Sequence, residues 1–194
     1  MYSFISGKIV EKTPTHLVIE TGGIGYFINI SLNTYTGIGD VENVKIHTHL
    51  VVREDAQILY GFAGESEREL FRRLISVSGV GANTARLILS SLSPAELTDA
   101  IISGNAPVLQ SVKGIGGKTA QRIVVDLKDK LGKESGGPEK LEIAHNTKKE
   151  EALSGLIILG FNRNAANKAI NRVLKETGTE LSVEELIKNS LKIL

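Results

Sequence analysis

The chain has 194 residues, 41% of them hydrophobic, with a formal net charge of +1 and no Cys. That length suits two or three small domains with real cores, and the missing Cys excludes a disulfide framework or a thiolate metal site. No apolar run is long enough for a membrane-spanning helix, and Met1–Lys8 lacks the basic start and long apolar stretch of a signal peptide. A cytoplasmic protein is therefore expected.

Residues 2–62 read as β structure. Ser3–Glu11 has partial alternation, and His16–Glu20 and Tyr26–Ile30 flank a Gly-rich connection, Thr21–Gly25, that reads as a bulged hairpin. No helix follows those glycines, so they do not form a phosphate loop. Val44–Val52 and Ala56–Phe62 are the next strands, joined by the polar tip Arg53-Glu54-Asp55. Five short strands in about 60 residues suit a small closed barrel of the OB-fold type. His47 and His49 alternate on one strand with no further ligand nearby, and they fit a solvated or interface face better than a metal site.

From Ser66 the pattern turns helical. Ser66-Glu67-Arg68-Glu69 reads as a capping box, with Leu70, Leu74 and Val77 on one face. Ser93-Pro94-Ala95-Glu96 is a second start, with Ser at the cap, Pro at the first helical position and Glu at the third. Asn105-Ala106-Pro107 opens a short helix, and a last one runs from Gly117 to Leu131. Within this region one motif is written twice. Residues 74–88 recur at 109–123 with a constant offset of 35, matching at Leu74/Leu109, Val77/Val112, Gly79/Gly114, Gly81/Gly116, Thr84/Thr119, Ala85/Ala120 and Ile88/Ile123.

The glycines give the repeat a physical meaning. An apolar helix is expected to stop at Val77 or Val112, a Gly-apolar-Gly turn follows, and a second helix starts at once. The free N–H groups of that second helix then face outward beside the positive end of its dipole, which suits a phosphate. The small Ala85 and Ala120 allow close helix packing. The pattern resembles the helix-hairpin-helix, a binder of DNA backbones without sequence preference. Two copies in register could grip both strands of one duplex. Gly116-Gly117-Lys118-Thr119 looks like the end of a P-loop, but Val112 stands where the first Gly is needed and a helix, not a strand, precedes it. ATP hydrolysis by this chain is excluded on that ground.

Charge is spread thinly. Residues 1–63 carry net −2, residues 64–134 net +2 and residues 135–194 net +1. If DNA is bound, backbone N–H groups must do much of the work, with a shallow salt dependence. Gly132–Asn146, with Gly132, Gly136, Gly137 and Pro138 among charged residues, reads as a linker. Thr147-Lys148-Lys149-Glu150 reads as a capping box for a helix carrying Leu153, Leu156, Ile157 and Leu159 and stopping at Gly160. Asn162 or Asn164 starts a second helix that ends before Gly178, and Ser182-Val183-Glu184-Glu185 caps a third. The turn Leu159-Gly160-Phe161 resembles that of ubiquitin-associated-type bundles, which show an apolar patch to a protein partner.

Barrel (residues 1–63), double helix-hairpin-helix (64–132), linker (133–146) and three-helix tail (147–194), in that order, resemble the RuvA family over essentially the whole chain. The run Val51–Phe62 and the segments Gly79-Val80-Gly81, Gly114-Ile115-Gly116 and Lys118-Thr119-Ala120 with Arg122 carry the likeness. The resemblance implies a subunit that binds four-way Holliday junctions as a four-fold tetramer, with pairing into an octamer in some members. Four subunits would match the four arms without reading bases. It implies phosphate binding by Gly79, Gly81, Asn83, Gly114, Gly116, Lys118 and Arg122, with Arg53 holding backbone. It makes Glu54 and Asp55 an acidic pin that repels phosphates at the crossover. It places Leu156, Leu159 and Phe161 in a domain that contacts a RuvB-type ATPase motor, which supplies the energy, and it implies a RuvC-type resolvase as a further partner. No cofactor and no metal are expected. Asn83 stands where many relatives have a basic residue, and Gly117 replaces the first of two lysines, so phosphate contacts lean on backbone amides, Lys118 and Arg122.

Two other classes compete. A helix-hairpin-helix nuclease or glycosylase would need a catalytic cluster beside the hairpins, and Asp126 and Asp129 read instead as solvated helix among Lys128 and Lys130. A protein-interaction scaffold built on the tail would leave the repeated hairpins unexplained.

Overall fold

The computed structural model describes residues 2–132, 143–177 and 181–194. It divides into two compact units, residues 1–136 and 137–194.

The first unit opens with five strands, β1 (Phe4–Lys12), β2 (His16–Thr21), β3 (Ile24–Ile30), β4 (Asn43–Val52) and β5 (Gln57–Phe62). They close into a barrel in the order β1-β2-β3-β5-β4, as the OB-fold expectation requires. All neighbouring strands are antiparallel except β3 and β5. Ile5, Leu17, Ile19, Ile28, Ile30 and Ile46 fill the interior. Closure needs Gly61: a Cβ there would lie 2.5 Å from Ile28 Cγ2 and 2.6 Å from Ile46 Cγ2. The bulge expected at residues 21–25 is absent. Thr21 pairs directly with Ile24, and Gly22 and Gly23 form a two-residue turn with φ of 59° and 81°. Positive φ at both central positions matches the twist of the flanking strands, which is why Gly-Gly suffices without a bulge. The barrel's irregularity lies instead in β1, between Ile9 and Glu11.

A helix that the sequence pattern does not announce, α1 (Leu32–Ile38), follows β3. Ser31 caps it by accepting from the Thr34 N–H at 2.9 Å. The Asn33 carboxamide donates to the carbonyls of Leu89 and Leu92, at 2.6 and 2.8 Å. The hydroxyls of Ser31 and Thr34 both donate to the buried carboxylate of Glu67, Thr34 at 2.7 Å.

Helices α2 (Glu65–Ile75), α3 (Ala82–Ser91), α4 (Pro94–Ser103), α5 (Ala106–Gln110) and α6 (Gly117–Gly132) complete this unit. The α4 capping box at Ser93 and Glu96 forms as expected. The one at Ser66 does not. Gly64 is the cap residue of α2, Ser66 lies inside the helix, and Glu67 turns inward to Ser31 and Thr34. Tyr60 and Phe62 of β5 join Phe71, Leu74, Ile88, Leu97, Ile123 and Leu127 in one core, so barrel and helices share their packing. The Arg86 guanidinium adds a tie, donating to the Thr15 carbonyl at 3.0 Å.

The second unit holds α7 (Ile143–Ile158), α8 (Arg163–Thr177) and α9 (Val183–Leu191) around Leu153, Leu156, Ile170, Val173 and Leu186. Helix α7 begins four residues before Thr147, so that residue is not its cap. No Gly or Pro stands between residues 139 and 154 to stop the helix from extending. Residues 133–142 of the expected linker, and Gly178, lie outside the described residues. Asn162 opens α8, its Oδ1 accepting from the Asn164 N–H at 2.9 Å. The Ser182–Glu185 capping box forms as expected. No described helix is long and apolar enough to cross a membrane.

Candidate nucleic-acid interface

The two hairpins repeat down to the backbone torsion. Gly79 and Gly114 both have φ of +90°. In each, the residue after that glycine turns back inward: the Val80 N–H donates to the Val77 carbonyl and the Ile115 N–H to the Val112 carbonyl, both at 3.0 Å. Val80 and Ile115 are buried, which pins the turn to the core. The helices before the turns end two residues earlier than expected, at Ile75 and Gln110. Val77 and Val112 are then each held by a tighter three-residue bond, their N–H groups donating to the carbonyls of Leu74 and Leu109 at 3.1 and 3.3 Å. Ser76 and Ser111 reinforce this, their hydroxyls donating to the carbonyls of Arg73 and Val108 at 2.7 Å each. These serines are also 35 apart, an eighth match that the sequence displays.

The glycines that start the second helices leave donors open. Gly81 caps α3 and offers no side chain to its first N–H groups, and Gly116 stands at the equivalent place before α6. The first intrahelical bonds run from Ala85 to Gly81 and from Ala120 to Gly116, at 2.9 and 3.0 Å. The N–H groups of residues 82–84 and 117–119 therefore precede the ladder, at the positive ends of α3 and α6. No Cβ contact restrains Gly79, Gly81, Gly114 or Gly116, so the turns are open to close backbone approach.

The predicted side chains divide into two groups. Lys118 is exposed on the first turn of α6. Asn83, at the matching place on α3, is exposed but engaged: its Oδ1 accepts from the Tyr60 hydroxyl at 3.1 Å. Arg122 reaches across from α6 and donates to the Ser78 carbonyl at 3.2 Å, linking the second hairpin to the turn of the first. Neither Tyr60 nor Ser78 could be picked from sequence, because the separations of 23 and 44 residues match no period.

Arg53, Glu54 and Asp55 are all exposed at the tip of the β4–β5 hairpin, closed by the Arg53 N–H donating to the Ala56 carbonyl at 2.8 Å. His49 lies against Phe71 of α2, ring centroids 5.6 Å apart. Burial, then the nearby Arg72 and Arg68, push its pKa below the usual imidazole value. It belongs to the contact between barrel and helices. No group of three or more His, Asp or Glu among the described residues is placed to hold a metal ion. In the tail, Leu156 is buried in the bundle core, Leu159 is exposed and Phe161 packs half-buried against that core. Ile158, which the sequence reading passed over, is 85% exposed.

Comparison with known proteins agrees along the whole length. Residues 1–61 match the RuvA N terminal domain, residues 71–129 a SAM-like helix-hairpin-helix tandem, and residues 147–194 the RuvA C-terminal domain. Proteins named Holliday junction branch migration complex subunit RuvA are similar end to end. That of Christiangramia forsetii is 56% identical over 194 residues, that of Parabacteroides distasonis 50% over 197 and that of Flavobacterium psychrophilum 48% over 194, each alignment covering 100% of both chains. With barrel, paired hairpins and three-helix tail each matched in order, the chain belongs to the RuvA family.

Proposed function

We propose that this chain binds four-way DNA junctions as a symmetric tetramer, holds them open, and recruits a RuvB-type hexameric ATPase for branch migration in recombination and repair. The observation that carries this reading is the pair of hairpins with identical Gly79 and Gly114 torsions, each followed by a helix whose first N–H groups have no capping side chain. Two such anion sites held in one core suit the two backbones of a duplex arm. Gly79, Gly81, Asn83, Gly114, Gly116, Lys118 and Arg122 face phosphate, and Arg53 holds backbone near the crossover. Glu54 and Asp55 form the pin that repels phosphates there. The chain is a non-catalytic subunit, with ATP hydrolysis in the motor, and a RuvC-type resolvase joins the same junction.

The tail carries the motor contact. Leu156 supports that surface from beneath, since it is fully buried, while Ile158, Leu159 and Phe161 form its outward part.

A gel-shift titration of a synthetic four-way junction against linear duplex of the same sequences, without nucleotide or metal at about 0.1 M salt, tests the reading. Preference for the junction by several tens-fold or more supports the symmetric clamp. Equal, weak binding to both would leave a generic hairpin DNA binder.

A further inference from the structure

The two hairpins differ at one decisive place. The second position of α6 carries Lys118, a cation, and the second position of α3 carries Asn83. A carboxamide is donor at one end and acceptor at the other. Free to rotate, it could turn its oxygen toward an approaching phosphate and oppose binding. The structure removes that freedom, because the Tyr60 hydroxyl donates to Asn83 Oδ1 at 3.1 Å. Tyr60 is itself fixed. It is 2% exposed, its ring lies 5.0 Å from that of Phe71, and its backbone sits in β5 between Asn29 of β3 and His49 of β4. With Oδ1 engaged, the remaining polar group of Asn83 is its NH2, on an exposed residue beside the open N–H groups of α3.

We infer that Tyr60 is a positioning residue for DNA binding: its hydroxyl holds the Asn83 carboxamide with the NH2 toward phosphate, so that the start of α3 offers the backbone a neutral donor where the start of α6 offers Lys118. The inference rests on the proposed DNA-binding reading and adds to it a second-layer residue from the barrel. It also accounts for how a hairpin without a cation at this place still presents a donor. Because β5 leaves the acidic tip at Gln57, one strand sets both the tip and this donor.

The test is junction binding by the full-length protein, measured by fluorescence anisotropy, with thermal stability read in parallel. Tyr60→Phe keeps the packed ring and removes the hydroxyl. It should weaken junction binding by about three- to tenfold when Asn83 is present. In an Asn83→Ala background it should have no further effect, because there is no carboxamide left to orient. Asn83→Asp keeps the acceptor for Tyr60 and puts an acid at the N-terminal end of α3, where the dipole favours it. It should leave the melting temperature unchanged or raised while binding falls by about tenfold or more. Asn83→Lys should steepen the dependence of log affinity on log salt by about 0.9 per phosphate gained.

Equal weakening by Tyr60→Phe in both backgrounds would make Tyr60 a packing residue and overturn the inference. So would unchanged binding by Tyr60→Phe, or undiminished binding by Asn83→Asp, in a protein whose wild type prefers the junction. A wild type with no preference for the junction over duplex would instead remove the DNA-binding reading, and this inference with it.

Discussion

Gly79 and Gly61 are both indispensable glycines, for different reasons. At Gly79 and Gly114 a Cβ would meet nothing, yet φ is +90°. The penalty for alanine is torsional, about 1–2 kcal/mol. Gly79→Ala should lower urea-derived stability by about that amount, and junction affinity should fall with it as the turn re-aims its N–H groups. At Gly61 the torsion is ordinary and the space is filled by Ile28 and Ile46. Gly61→Ala should cost more, about 3 kcal/mol, because two branched side chains inside a closed barrel must shift. Glu67 gives a pH signature. Burial raises its pKa above the usual carboxylate value, and the hydroxyls of Ser31 and Thr34 offset this in part. A raised pKa means the folded state holds the proton more tightly than the unfolded chain, so this group's contribution is complete below the unfolded pKa and is lost as pH rises through the folded one. Glu67→Gln removes that loss. The melting-temperature advantage of the variant over wild type should be greatest at neutral pH and should shrink as pH falls toward 4.5, the ordinary value. A difference that stays constant across that range would contradict the assignment.

At the scale of elements, α1 does more than connect two strands. Through Asn33 it supplies donors to the Leu89 and Leu92 carbonyls at the end of α3, where the helix leaves acceptors open. Asn33→Ala should destabilise by about 1–3 kcal/mol. Asn33→Asp should be worse, because it replaces donors by a negative charge at the negative end of a helix. Thermal melts of the two variants decide the order. This helix was not legible in the sequence. Its seven residues, Leu32–Ile38, include two Thr and Gly37, too short and too weak a run to show a helical period. The hairpins were legible because each needs glycine at the same two places, so the constraint appears twice at a fixed offset. Ser66 was misread as a cap because local pattern favoured it, while Glu67 is drawn inward by two hydroxyls more than 30 residues away. The Tyr60–Asn83 bond is of the same kind: a contact between barrel and hairpin that only the folded chain brings together.

At the scale of the whole molecule, modest net charge makes repulsion as informative as attraction. Glu54 and Asp55 stand exposed at a hairpin tip in the unit that carries the hairpins. Replacing both with Gln and Asn should raise affinity for linear duplex more than for the junction, so the ratio of the two dissociation constants narrows. Parallel titrations at one salt concentration read that ratio directly, and an unchanged ratio would deny the tip a part in discrimination. The barrel from which this tip projects is shut, with β4 returning to pair with β1. A shut barrel offers no strand edge on which another chain could add its own. Any chain that docks on this barrel must therefore read its side chains, because there is no ladder to extend. A single surface substitution can then retune such a contact while the barrel's own hydrogen-bond ladder stays whole.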